Sequence, residues 1–104
     1  MAYQPAALDA LGDPARRAIF ERLGERPGAV GMLAEALPIS RPAVSQHLKV
    51  LKQAGLLTDR AVGNRRIYQV DPTGVQELRS YLDKFWNRAL ASFKEAVEAK
   101  EDHR

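Results

Sequence analysis

The sequence contains no cysteine. Disulfides, thiolate zinc sites, iron–sulfur clusters and thiolate nucleophiles are therefore excluded together. Histidine is nearly as scarce: His47 and His103 are the only two, and they never stand at ligand spacing on one element, so no metal site is expected. Gly24, Gly28 and Gly31 lack the spacing of a dinucleotide or P-loop motif and are read as turn and helix-end residues. With no nucleophile–base pair either, no catalytic residue and no cofactor are assigned. The chain lacks a run of roughly 18 apolar residues and a charged-then-apolar leader, so neither a membrane span nor export is expected and the chain is placed in the cytoplasm.

What remains is a 104-residue chain, read as a single domain over 1–104. A domain of this size buries only about 60–65% of the surface its unfolded form exposes, so a core shared between two copies would help it. The net charge of +3 is mild, but it is unevenly placed. From Ser40 to Arg66 six basic residues (Arg41, Lys49, Lys52, Arg60, Arg65 and Arg66) face one acid, Asp59, a net of +5 that leaves −2 for the rest. A local concentration of cations is an electrostatic footprint of nucleic-acid binding, although it is not a sequence code.

Start and stop signals divide the chain. Ala6 to Leu11 is a short apolar helix. Asp13-Pro14 opens a second, because an Asp N-cap accepts an orphan amide and Pro in the first turn forfeits no needed donor; its stripe is Ala15, Ala18, Ile19 and Leu23, and Arg26-Pro27-Gly28 ends it. A third helix covers about Val30 to Leu37, with Met32, Leu33, Ala36 and Leu37 as its apolar positions, and stops before Pro38. Ser40 caps the next, with Pro42 in the first turn and Gly55 placed for a left-handed C-terminal cap. The pair, over 30–54 with the turn Pro38-Ile39-Ser40, makes a helix-turn-helix unit. Leu56 to Val62 and Arg65 to Val70 are β-prone runs joined by Gly63-Asn64, a two-residue hairpin wing over 56–70. Asp71-Pro72 opens a last helix reaching about Ala99, after which the polar residues from Lys100 are expected to fray. The predicted class is mainly α with a small β-hairpin: about five helices and a two-stranded wing, dimeric.

On a helical wheel Val44, Leu48 and Leu51 share one face, with His47 and Ala54 at its edge. The opposite face carries Pro42, Gln46, Lys49 and Gln53, flanked by Arg41, Ser45 and Lys52. Amides can pair bidentately with adenine and cations with guanine, Ser serves base edges or phosphate, and small Pro42 and Ala43 permit close approach to the groove. Ser40 and the first-turn amides suit a phosphate. The predicted double-stranded DNA contacts are Ser40, Arg41, Pro42, Ala43, Ser45, Gln46, Lys49 and Lys52 on the helix and Arg60, Asn64, Arg65 and Arg66 on the wing.

The stretch from Ser40 to Leu57, SRPAVSQHLKVLKQAGLL, resembles the signature of the ArsR/SmtB family of winged helix-turn-helix repressors. Asp13-Pro14-Ala15-Arg16-Arg17-Ala18-Ile19, Leu33-Ala34-Glu35 and Gly63-Asn64-Arg65-Arg66-Ile67-Tyr68 extend the resemblance over about Leu8 to Leu82. It implies a sequence-specific transcriptional regulator, a homodimer formed chiefly by the first and last helices (6–11 and 72–99), that binds an imperfect palindromic operator and represses its own operon. Along the last helix Leu78, Leu82, Phe85, Ala89, Phe93 and Val97, with Tyr81, Trp86 and Leu90 beside them, make an apolar band wider than a small monomer covers. Val75, Leu78 and Leu82 are expected in the monomer core; Leu8, Leu11, Tyr81, Phe85, Trp86, Ala89, Leu90, Phe93 and Val97 are expected between subunits.

Many relatives in that family release DNA on binding metal through cysteine on the third helix, or carboxylate and histidine on the last. This sequence departs from both patterns and resembles the cysteine-free members, which leaves the inducer unassigned. Asp83 and Glu95 resemble last-helix ligands but, without histidine partners, are read as solvated helix charges; a metal-responsive regulator using oxygen or histidine ligands and a protein-interaction winged helix without DNA binding are the alternatives. The second would be expected to lose the basic helix face and basic wing, and both are present.

Overall fold

The structure, a computed structural model, describes residues 6–101. Five helices and one hairpin follow in order: α1 (Ala6–Ala10), α2 (Pro14–Glu25), α3 (Val30–Ala36), α4 (Arg41–Gln53), β1 (Leu57–Val62), β2 (Arg65–Val70) and α5 (Pro72–Glu101). Asp13 caps α2 by accepting from the amides of Ala15 (2.8 Å) and Arg16 (3.0 Å). Arg16 and Arg17 then reach back to close the turn after α1, their Nε atoms donating to the carbonyls of Ala10 (2.8 Å) and Leu11 (3.1 Å). At the far end of α4 the amide of Gly55 donates to the Lys52 carbonyl and that of Leu56 to the Leu51 carbonyl, both at 3.0 Å. That is a Schellman closure, and it requires the positive φ of 83° that Gly55 adopts.

Ile19 and Leu23 of α2, Leu33 of α3, Val44, Leu48 and Leu51 of α4, and Leu56 and Leu57 at the start of the wing form one buried core. The core face of α3 follows Val30, Leu33, Ala34 and Leu37, the three- and four-residue spacing of a single stripe. Met32 and Ala36, expected on that face, lie off it; Met32 is 40% exposed and turned toward the wing. Phe20, absent from the expected stripe of α2, is half-buried against the core.

The hairpin pairs antiparallel with Val62 opposite Arg65, so the loop is the two residues Gly63-Asn64, and Gly63 alone of the two has positive φ, 61°. A third backbone segment joins it: Gly28 and Tyr68 exchange amide–carbonyl bonds of 3.0 and 2.8 Å, an isolated bridge that the sequence did not reveal. Leu56 stands before β1, buried, its carbonyl accepting from the Asp71 amide at 2.9 Å.

Gly74 is buried because α5 starts by crossing the α4–β1 corner: a Cβ there would overlap the Gly55 carbonyl oxygen. Val75 packs on the core and Leu78 and Tyr81 are half-buried, but Leu82 is exposed, contrary to its expected place in the core. From Leu82 to Glu101 every residue is exposed. A 30-residue helix is about 45 Å long at 1.5 Å per residue, too long for one small core to line, and the chain extends 69 × 28 × 23 Å. The helix continues through Lys100 and Glu101, where fraying was expected; residues 102–104, with His103, lie outside the described residues.

Candidate nucleic-acid interface

The helix α4 is anchored from one side. Val44, Leu48 and Leu51 are fully buried, which leaves Arg41, Pro42, Ser45, Gln46, Lys49, Lys52 and Gln53 exposed on the other. Ser40 begins the helix, its hydroxyl oxygen accepting from the Ala43 amide at 3.3 Å, so that amide is already engaged by the cap. Ala43 and His47 are half-buried at the margin between the two faces. The exposed side of the helix thus presents hydroxyl, amide and cationic groups with no carboxylate among them, a chemistry that suits base edges and phosphates.

The wing cations are arranged differently from a row of free charges. Lys52 Nζ lies 2.8 Å from Asp59 Oδ1 and Arg66 Nη1 lies 3.2 Å from Asp59 Oδ2, with only 10% of the Asp59 side chain exposed. Asp59 pairs with Tyr68 and Ala61 with Arg66 across the hairpin, so Asp59 and Arg66 are same-face diagonal neighbours within reach of long side chains. The hydrogen bond from Lys52 first, and then the charges of Lys52 and Arg66, hold the Asp59 carboxyl below the usual 3.8. Lys52 and Arg66, expected as plain DNA contacts, are therefore also partners of an internal carboxylate. Their outer halves remain exposed.

Arg65 leans toward α3, its Nη2 donating to the Met32 thioether at 3.8 Å. Arg41 likewise lies across α3: a Cβ on Gly31 would come within 2.7 Å of its Nη2. Gly31, Met32, Glu35, Arg41, Asn64, Arg65 and Arg66 line a groove between the start of α3, the start of α4 and the wing tip. Arg60 is exposed on β1. Of the expected residues, Arg41, Asn64, Arg65 and Arg66 are thus brought to one groove, and Lys52 is joined to Arg66 through Asp59. Gly31, Met32 and Asp59 were missed as parts of this arrangement; only Asp59, the single acid in a basic segment, left a trace in the sequence.

Of the residues expected between subunits, Phe85, Trp86 and Phe93 are 63%, 63% and 66% exposed, and Leu8, Ala89, Leu90 and Val97 are exposed too. Tyr81 is half-buried, while Leu11 packs partly against the chain's own core. Among the described residues no three His, Cys, Asp or Glu side chains are grouped to hold a metal ion, and no helix is long and apolar enough to cross a membrane.

Comparison with known proteins gives a consistent result. Residues 11–60 match the model of a helix-turn-helix domain family. The HTH-type transcriptional regulator Rv2034 of Mycobacterium tuberculosis (strain ATCC 25618 / H37Rv) is 57% identical over 96 residues, covering 92% of this chain and 90% of that protein. The transcriptional repressor SdpR of Bacillus subtilis (strain 168) is 34% identical over 76% of this chain and 88% of its own. Among solved structures, an ArsR-like transcriptional regulator from Rhodococcus sp. RHA1 superposes with a TM-score of 0.74 at 30% identity, over 86% of this chain and 88% of that one.

Proposed function

This chain belongs to the ArsR/SmtB family of winged helix-turn-helix transcriptional regulators, and from that premise we propose that it acts as a homodimeric repressor reading a palindromic operator. It is a DNA-binding regulator of transcription; the operator, the dimer and the assignment of individual residues are what the proposal adds. One observation carries it: a helix held by three fully buried side chains turns a polar, acid-free face outward beside a basic wing.

In this reading Gln46, Ser45, Arg41 and Lys49 address base edges, and Pro42 and Ala43 permit close approach. Ser40, Arg60, Asn64 and Arg65 meet the phosphate backbone, which sets position rather than sequence. Lys52 and Arg66 contribute the exposed half of their charge. The apolar band of α5, with Leu8, covers itself against a second copy, because a two-fold partner presents the same surface in return. The cytoplasm, where the genome of a bacterium lies, is the place in which such a protein would act.

Selection of bound fragments from genomic DNA by the full chain tests this. Two inverted half-sites about one helical turn apart, roughly 34–36 Å, are expected. Recovery of fragments with no shared sequence, or with a single unpaired half-site, would count against operator reading by a dimer.

A further inference from the structure

Among the described residues Asp59 is the carboxylate that links the reading helix to the wing by charge. Lys52 belongs to the last turn of α4, Asp59 to β1 and Arg66 to β2. One side chain, nearly buried, accepts from both cations on separate oxygens, at 2.8 and 3.2 Å. At the α4–β1 junction Gly55 carries no side chain, and the start of α5 packs on its backbone, where a Cβ on Gly74 would overlap the Gly55 carbonyl oxygen. The wing is held at its base by Leu56 and Leu57 and on β2 by the Gly28–Tyr68 bridge, whereas beyond Leu57 every residue of β1 except Asp59 is exposed. On the β1 side the Asp59 ion pairs are therefore the charged tie between the wing and α4.

We propose that Asp59 is a positioning residue for DNA reading: by clamping Lys52 and Arg66 it locks the wing to the reading helix and so raises the preference for operator over random sequence. The inference rests on the DNA-reading role given above. Phosphate contacts fix the register in which base contacts are tested. Groups that touch phosphate (Arg65 and Arg60 on the wing) and groups that touch bases (Gln46 and its neighbours on α4) therefore have to keep one relative position. A free wing would still attract DNA through its charge, but on any sequence and in many registers. The carboxylate consequently lowers the gross positive charge of the face while sharpening what that charge does.

Two further roles are separable from this one. As a bare negative charge facing phosphate, Asp59 would weaken binding to all DNA alike. As a purely structural ion pair, it would change folding stability and leave the ratio of specific to non-specific binding as it was.

The test uses the full chain with Asp59→Asn, which removes the charge at constant shape, and Asp59→Glu, which keeps it. Affinity is measured for a duplex selected by the wild type and for a random-sequence duplex of equal length, across a salt series. Amide hydrogen exchange of Thr58 to Gln69 is followed in the DNA-free proteins. For Asp59→Asn the operator-to-random ratio should fall about tenfold, the size of one lost base discrimination. Random-sequence affinity should hold or rise, since a negative charge is gone, and exchange in the hairpin should quicken. Asp59→Glu should restore most of the ratio. Equal tightening on both duplexes, equal weakening on both, or an unchanged ratio would each overturn the proposal. If the wild type itself showed no preference for any duplex, the DNA-reading role would fail separately; unchanged hairpin exchange in Asp59→Asn would then still refute the clamp.

Discussion

Replacing Trp86 by Glu should separate the two subunits, and the expected size follows from exposure. Trp86 is 63% exposed on the isolated chain. With 150–250 Å² for an aromatic side chain, about 100–160 Å² of it waits to be covered, or about 2.5–4 kcal/mol at 25 cal/mol/Å². A two-fold interface repeats the residue, so its truncation removes about 5–8 kcal/mol as an upper bound, before the added repulsion of two facing carboxylates. At 1.4 kcal/mol per decade the lower figure already weakens association by more than about a thousandfold. Sedimentation velocity at micromolar concentration reads this directly, and a melting curve checks the fold, which should survive because Trp86 touches none of the buried core. A Trp86→Glu variant that still sediments as a dimer would refute the placement of the interface on α5.

Gln46→Ala should relax base preference at one position per half-site by about 1–3 kcal/mol, measured by competition with single-base operator variants; an equal loss on random DNA would contradict base reading. Arg65→Ala should weaken binding to every sequence and reduce the slope of log affinity against log salt by about one per subunit, and an unchanged slope would remove the wing tip from the phosphate contacts. Gly74→Ala forces a Cβ against the backbone carbonyl of Gly55, so α5 has to shift and thermal unfolding should show a loss of about 1–3 kcal/mol. Asp13 and Asp59 both ionise below the usual 3.8, Asp13 chiefly through the Arg16 amide and Asp59 chiefly through Lys52. Because the folded values are the lower ones, their contribution is complete above about pH 4 and is lost as pH falls through the folded values. Melting temperature should therefore be flat near neutrality and fall below pH 4, less steeply in Asp59→Asn than in the wild type.

Local chemistry made most of the secondary structure legible. Asp13-Pro14, Ser40 and Asp71-Pro72 start helices where an acceptor side chain meets orphan amides, Gly55 closes α4 because its positive φ suits glycine, and Gly63-Asn64 turns the hairpin in two residues. These are events within four or five residues of each other, so sequence carries them whole. The α3 face was misjudged because in the eight residues from Val30 to Leu37 two stripes, Val30–Leu33–Ala34–Leu37 and Met32–Leu33–Ala36–Leu37, are nearly equal in apolar content; only the wing beside Met32 breaks the tie. The Gly28–Tyr68 bridge joins residues 40 positions apart, and no local pattern announces it. Leu82 was assigned to the core by its spacing, but α5 leaves the domain before reaching it.

For the candidate interface the division is similar. Residue types and helical period alone determined that α4 would bury Val44, Leu48 and Leu51 and turn Arg41, Ser45, Gln46 and Lys49 outward, since period and polarity act along one element. Which cations stand free and which are held was decided only by tertiary structure. Lys52, Asp59 and Arg66 come from three elements, and Gly31 meets Arg41 across a helix pair. Charges counted along a chain add; charges folded to 2.8 and 3.2 Å from one carboxylate partly cancel and become mechanical links, because Coulomb energy depends on separation in space and not in sequence.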